Sequence, residues 1–237
     1  MSLPTKSILI VTNDDDLKIK LNFHLTNLNY KLCCVTTGQA AIEILNTEFP
    51  NLVIIDIILP KQDGFELCRE IRAISSVPII LLSPFSSNSD RIIGFEVGAD
   101  DYITKPFSIL ELKIRIGNIL TRLAVTNEGS FISRKPKISF SNFVIDFETK
   151  SICTSTNANI KLTALEFNIL ELLLMNVDSV ISRSDILNNV WGYTPERPID
   201  LRVVDVYISR IRRKLGENSR NPEFILTIRG GGYMFKK

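Results

Sequence analysis

Residues Asn51–Gly64, NLVIIDIILPKQDG, decide how this chain of 237 residues is read. The uninterrupted apolar run Leu52–Ile55 has the length and composition of a strand buried on both faces. It ends on a single acid, Asp56, and a turn follows at Pro60 and Asp63-Gly64. Removing a lone carboxylate from water is costly, so an acid at that place needs a partner or a task. Either it is a satisfied core or helix-capping group, or it is a reactive carboxylate at the carboxyl edge of a parallel sheet. Open α/β folds put their sites at that edge.

Working outward, Ser7–Val11 reads as a strand, and Asp14–Asn29 as a helix with Leu17, Leu21, Leu25 and Leu28 at helical spacing. A strand over Tyr30–Val35 and a helix over Gly38–Glu48 lead into the central strand. Beyond it come a helix (Gly64–Ile74), a strand (Val77–Leu82), a helix (Ser89–Val97), a strand (Asp101–Thr104) and a helix (Ile109–Leu123). Five strands alternating with five helices make a doubly wound parallel sheet, for which the flavodoxin-like order 2-1-3-4-5 is expected. That order brings Thr12-Asn13-Asp14-Asp15 next to Asp56, with Ser83 and Lys105 at the ends of the fourth and fifth strands. A carboxylate, a hydroxyl and an ammonium at neighbouring strand tips suit a phosphoryl group beside a hard cation.

Charge divides the chain. Residues 1–122 hold 12 Lys+Arg against 14 Asp+Glu, and residues 123–237 hold 16 against 12, so the second half is the basic one. Cys33, Cys34, Cys68 and Cys153 form no CxxC pair and read as small apolar residues of a reducing compartment. The N-terminal MSLPTKSILIVTNDDD meets acids too soon for a signal peptide, and no run is long enough to span a membrane. A cytoplasmic protein is expected, or one of the plastid stroma if organelle-encoded.

Residues 1–122 are thus expected to form one domain, 123–137 (Gly-, Ser-, Pro- and charge-rich) a linker, and 138–237 a second domain. The second opens with short strands in ISFSNFVID, KSICTS and NIKL. Thr163 then caps an apolar helix, with Glu166 completing a capping box. Helices over Ser182–Trp191 and Leu201–Leu215 and a hairpin around Arg229-Gly-Gly-Gly close the chain. This α+β pattern is that of a winged helix-turn-helix. In LRVVDVYISRIRRKL, Val204, Ile208, Ile211 and Leu215 form a core stripe, and Arg202, Arg210, Arg213 and Lys214 lie opposite, with Arg212 at the edge. Such a basic face before a Gly-rich hairpin fits a major-groove recognition helix.

Asp56, LPKQDG, Ser83, GADDY (98–102) and KPF (105–107) resemble the receiver domain of two-component response regulators. LTALEF, SRSDILNNVWGY, LRVVDVYISRIRRKL and TIRGGGYMF resemble the OmpR/PhoB winged-helix transcriptional regulators, most of all their cyanobacterial and plastid-encoded branch. The resemblance implies a DNA-binding regulator, not an enzyme, in which a sensor histidine kinase phosphorylates Asp56 and so favours dimerisation and promoter binding. The alternative is a regulator that works without phosphorylation. Ser83, Tyr102 and Lys105 would follow the phosphate, with Mg²⁺ held by Asn13, Asp14, Asp56 and the main chain of Ile58. Arg210 would read a base. Arg202, Tyr207, Arg212 and Arg213 would meet the DNA backbone, Arg229 the minor groove, and Gly192–Asp200 RNA polymerase. A homodimer would pair Arg91 with Glu111, Asp101 with Arg115 and Asp100 with Arg122. One departure stands out: Thr12 and Asn13 occupy the places of the family's adjacent acids. Weak magnesium binding and slow or absent phosphorylation are therefore expected.

Overall fold

The computed structural model describes residues 6–125, 137–154, 159–191, 200–218 and 220–237, without the side chains of 122–125. The chain divides into two compact units, Met1–Thr121 and Arg122–Lys237. In the first, strands β1 (Ser7–Val11), β2 (Lys31–Val35), β3 (Leu52–Asp56), β4 (Ile79–Ser83) and β5 (Asp101–Thr104) form a parallel sheet in the order β2-β1-β3-β4-β5. The intervening helices are α1 (Asp15–Thr26), α2 (Gly38–Glu48), α3 (Gly64–Ile74), α4 (Asn88–Val97) and α5 (Ile109–Val125). The expected order therefore holds. Every residue of β3 and β4 is buried, as continuous apolar strands covered on both faces should be.

Caps set the helix starts. Asp14 accepts from the Leu17 amide (2.9 Å), Asp63 from the Phe65 amide (3.0 Å) and Ser87 from the Asp90 amide (3.1 Å). Gly64 follows Asp63 because the chain passes so close to β3 that a Cβ there would lie 2.4 Å from the Ile57 Cα. Several boundaries differ from the reading of the sequence by one or more residues, three of them at places that matter to the fold. Helix α1 stops at Thr26, and Asn29 turns the chain at φ 59°. Strand β3 takes in Asp56 itself, paired in register with Leu82. Strand β4 starts at Ile79 instead of Val77, since Pro78 has no N–H to offer and the Ile79 amide donates to Asp100 Oδ2 (2.9 Å).

That same Asp100 oxygen accepts from Arg72 Nη2 (2.7 Å), and Arg72 also donates to the carbonyls of Ser75, Val77 and Gly98. One buried ion pair so ties the end of α3 to the starts of β4 and β5.

The second unit opens with an antiparallel sheet of β6 (Lys137–Ser139), β7 (Phe143–Asp146), β8 (Ser151–Thr154) and β9 (Asn159–Lys161). Helices α6 (Ala164–Met175), α7 (Arg183–Trp191) and α8 (Arg202–Leu215) follow, then the hairpin of β10 (Ile225–Ile228) and β11 (Gly232–Phe235). Both halves of the capping box form at Thr163 and Glu166. Of the stretch expected as linker, α5 reaches into the start and β6 takes the last residue; 126–136 lie outside the described residues. Among the described residues no helix is long and apolar enough to cross a membrane. Replacing Arg72 with Met removes the guanidinium that Asp100 meets at 2.7 Å and the bonds it makes to the carbonyls of Ser75, Val77 and Gly98. Urea unfolding followed by circular dichroism should show a loss of about 3–5 kcal/mol, and a loss below about 1 kcal/mol would contradict the anchoring role.

Candidate functional site

Asp56 ends β3 at the switch point between β1 and β3 and is 4% exposed. Its Oδ2 accepts from Lys105 Nζ at 2.5 Å and from the Thr12 hydroxyl at 3.1 Å, while Oδ1 accepts from the Ile58 amide at 3.3 Å. Parallel pairing of β1, β3, β4 and β5 is what brings Thr12, Asp56, Ser83 and Lys105 to one edge. The Ser83 hydroxyl is fully buried and receives the Tyr102 hydroxyl at 2.6 Å; Tyr102 also donates to the Phe85 carbonyl at 3.0 Å. Burial pushes the Tyr102 phenol above its ordinary value, with the Ser83 hydrogen bond opposing. Gly94 makes room for that ring, because a Cβ there would meet Tyr102 Cδ2 at 2.6 Å.

Asp14 caps α1 with its carboxylate, and Asn13 is exposed beside an open cleft lined by Thr36, Gln39 and Gln62. The Ile58 side chain is exposed and its amide points at Asp56. Among the described residues no group of three or more His, Cys, Asp or Glu stands together as a candidate metal site. Thr12, read from the sequence only as standing where the family has an acid, is a fully buried hydroxyl bonded to the Asp56 carboxylate. Its signal was the polar residue directly after a strand that ends beside Asp56.

On the α4–β5–α5 face, Arg115 holds Asp101 at 2.8 Å and Glu111 at 2.8 Å within one chain. Arg91 donates to the Thr104 hydroxyl at 3.3 Å. Asp100, expected on this face, is 3% exposed and bound to Arg72. Helices α4 and α5 also expose Ile93, Leu110 and Ile114. The Arg122 side chain lies outside the described residues.

In the second unit α8 buries more than one stripe. Val203, Val204, Tyr207, Ile208, Ile211, Arg212 and Leu215 are all buried, leaving Arg202, Val206, Ser209 and Arg213 along one open line at helical spacing. Tyr207, expected at the DNA backbone, is fully buried edge-on to Trp191, with ring centroids 5.0 Å apart. Arg210, expected to read a base, reaches Glu166 Oε1 at 2.9 Å and lies over the Tyr207 ring. Burial would raise the Glu166 carboxyl, yet Arg210 and Lys214 hold it below its ordinary value. Arg212 is 7% exposed and bonds the hairpin. Arg202 pairs with Asp200 at 2.5 Å; Arg213 and Arg229 are exposed. The loop 192–199, expected to meet RNA polymerase, lies outside the described residues.

Two family models match the chain: the response regulator receiver domain over residues 8–117, and the C-terminal domain of transcriptional regulatory proteins over residues 157–235. A probable transcriptional regulator ycf27 of Guillardia theta is 43% identical over 238 residues, covering 100% of this chain and 93% of its own. Its counterpart in Cyanophora paradoxa is 41% identical over 236 residues, covering 100% and 98%. The chain belongs to the OmpR/PhoB-type response regulators. Among solved structures, a mutant form of RitR matches this regulator with TM-score 0.78 at 26% identity, covering 98% of this chain and 99% of the other. DrrB, an OmpR/PhoB homolog of Thermotoga maritima, matches with TM-score 0.50 at 31% identity, covering 98% and 100%. This regulator therefore joins a receiver to a winged-helix domain in one transcriptional regulator.

The Arg210–Glu166 pair has a measurable consequence. Because the Glu166 carboxyl is held below its unfolded value of 4.5, its contribution is present above that pH and is lost as pH falls through the folded value. Arg210→Met should destabilise the second unit by roughly 3 kcal/mol at neutral pH, with the gap to wild type narrowing below pH 4.5. Unfolding curves at several pH values check this. A gap that does not change with pH would contradict it.

Proposed function

We propose that this regulator binds promoter DNA as an isologous dimer through the open line of α8 and the wing arginine, and that its Asp56 works without magnesium-dependent phosphorylation. One observation carries the second half: the Thr12 hydroxyl and the Lys105 ammonium both engage Asp56 Oδ2. Receiver domains typically bind Mg²⁺ beside the phosphoacceptor. The residues here do not fit that ion, since a neutral hydroxyl stands at the end of β1 and Asp14, the next acid along the chain, caps a helix. Magnesium demands near-ideal octahedral oxygen donors and is held through carboxylates. Of the two expectations drawn from the sequence, the pocket favours the regulator that works without phosphorylation, under the control of a partner other than the phosphate. The route from a sensor histidine kinase would be slow in comparison.

On DNA, Arg213 and Arg202 would reach phosphates at the two ends of the open line, with Val206 and Ser209 facing the base edges between them. Valine suits a thymine methyl group and serine accepts or donates to several base edges. In the dimer, the Asp101–Arg115 contact would pass from within one chain to between two, beside Ile93, Leu110 and Ile114. Asp100 would stay with Arg72 inside its own chain. Complementary charges of this kind set orientation more than affinity. The setting proposed is the plastid stroma, with RNA polymerase as a downstream partner; what supports it is the likeness to transcriptional regulators of Guillardia theta and Cyanophora paradoxa.

Two experiments test this reading. In a gel shift of the full chain on DNA taken from upstream of its own gene, binding should weaken steeply with salt. Arg213→Ala should lower the salt slope by about one; an unchanged slope would remove Arg213 from the interface. Binding of Mn²⁺, followed by electron paramagnetic resonance, should not saturate for the wild type under conditions where a Thr12→Asp/Asn13→Asp double variant saturates. Equal binding by the two would sink the claim about the pocket.

A further inference from the structure

Arg212, like Arg210, is an arginine of α8 that the DNA reading leaves without a task. Its guanidinium is turned away from the open line: Nε donates to the Ile225 carbonyl at 3.0 Å, and Nη2 donates to that same carbonyl and to the Thr227 hydroxyl at 2.9 Å. Burial lowers this guanidinium from its ordinary value, so its placement inside the unit carries a cost that the carbonyl and hydroxyl offset. Both partners lie on β10. Across the hairpin, Thr227 pairs in register with Tyr233 of β11, which is 3% exposed.

Tyr233 is held on three sides. Its hydroxyl donates to Asp205 Oδ1 on α8 at 2.5 Å, and burial, with this bond, pushes the phenol up to about 12. Arg183 of α7 lies over the ring at 4.8 Å from its centroid and pairs with the same Asp205 oxygen at 2.6 Å, while the Arg212 guanidinium stands 5.7 Å from the centroid. The Tyr233 backbone exchanges two hydrogen bonds with Ile181, just before α7. Each strand of the hairpin is therefore fastened to α8 by a different side chain, Arg212 on β10 and Asp205 on β11. Arg229 sits at the tip between those strands, and Arg213 follows Arg212 on the open line.

We propose that Arg212, Asp205 and Tyr233 are positioning residues for DNA recognition: they set the distance from the open line of α8 to Arg229, and Arg212 makes no DNA contact of its own. A duplex offers its major and minor grooves at a fixed separation, so helix and wing engage together only if their spacing is held. The three residues join elements that are far apart in the chain: the backbone bonds to Ile181 hold β11 to the start of α7, and these side chains fix the hairpin against α8 itself. This rests on the reading of α8 and the wing as the DNA surface.

The test is a double-mutant cycle on the full chain, by fluorescence anisotropy on a duplex that the wild type selects from a random-sequence pool. Arg212→Met and Tyr233→Phe each remove a fastening, and Arg229→Ala removes the contact being positioned. Arg229→Ala in wild type should weaken binding roughly tenfold. In the Arg212→Met or Tyr233→Phe background the same change should add less than about a twofold loss, since neighbours acting as a unit are not additive. Losses that multiply would make Arg212 an independent contact and overturn the proposal, as would Arg212→Met binding like wild type. Tyr233→Phe deletes only a hydroxyl, so the cycle stands even if Arg212→Met fails to fold. A purely stabilising role would lower the melting temperature and leave the coupling to Arg229 at zero. If Arg213→Ala weakens binding and Arg229→Ala does not, the positioning claim falls and the DNA surface stands. If neither matters, both fall.

Discussion

A carboxylate buried at the end of β3 must be compensated, and the manner of its compensation governs the receiver. Asp56 is 4% exposed, and at that depth a charge without a partner is costly by several kcal/mol. Lys105 supplies the opposite charge and Thr12 a hydrogen bond, both on the same oxygen. An acid in place of Thr12 would repel Asp56 and call for a cation between them; a hydroxyl calls for none. The change from carboxylate to hydroxyl at one strand end thus alters which groups can neutralise the site. A short hydrogen bond between Tyr102 and Ser83 on the adjoining strands closes the far side of the same edge.

The same rule decides which of the other charges are available to partners. Asp100 is committed to Arg72, Glu166 to Arg210 and Lys214, and Asp205 to Arg183 and Tyr233. Each buried or half-buried acid removes from the surface a cation that a helical wheel would assign to solvent. After these commitments, the exposed arginines among the described residues of the recognition helix and wing are Arg202, Arg213 and Arg229. If α8 and the hairpin tip meet DNA as proposed, that surface is narrower than the basic composition of the second half suggests, because Arg210 and Arg212 hold the helix and hairpin in place.

Sheet order and nearly every element were legible in the residues, because uninterrupted apolar strands and helical repeats leave few alternatives in the first unit. Asp56, Ser83 and Lys105 were legible as a group since strand ends in such a sheet share one edge. Boundaries were less so where a side chain substitutes for a backbone partner, as Asp100 does for the Ile79 amide. The burial of α8 was less legible, for a definite reason. A spacing of 3.6 residues finds one core stripe, whereas α8 is packed by α6, α7 and the wing, so Tyr207 and Arg212 are enclosed as well. Glu166 carried the missing signal: an acid inside an apolar helix, completing a capping box, implies a cation arriving from another element.

Whether Asp56 takes a phosphoryl group by the ordinary route is the central question. Incubating the full chain with Mg²⁺ and a small-molecule phosphodonor, then reading its intact mass, puts it directly. The mass should stay that of the unmodified chain over the time in which a Thr12→Asp/Asn13→Asp variant gains one phosphoryl group. Rapid, stoichiometric labelling of wild-type Asp56 would contradict a receiver that works without magnesium-dependent phosphorylation.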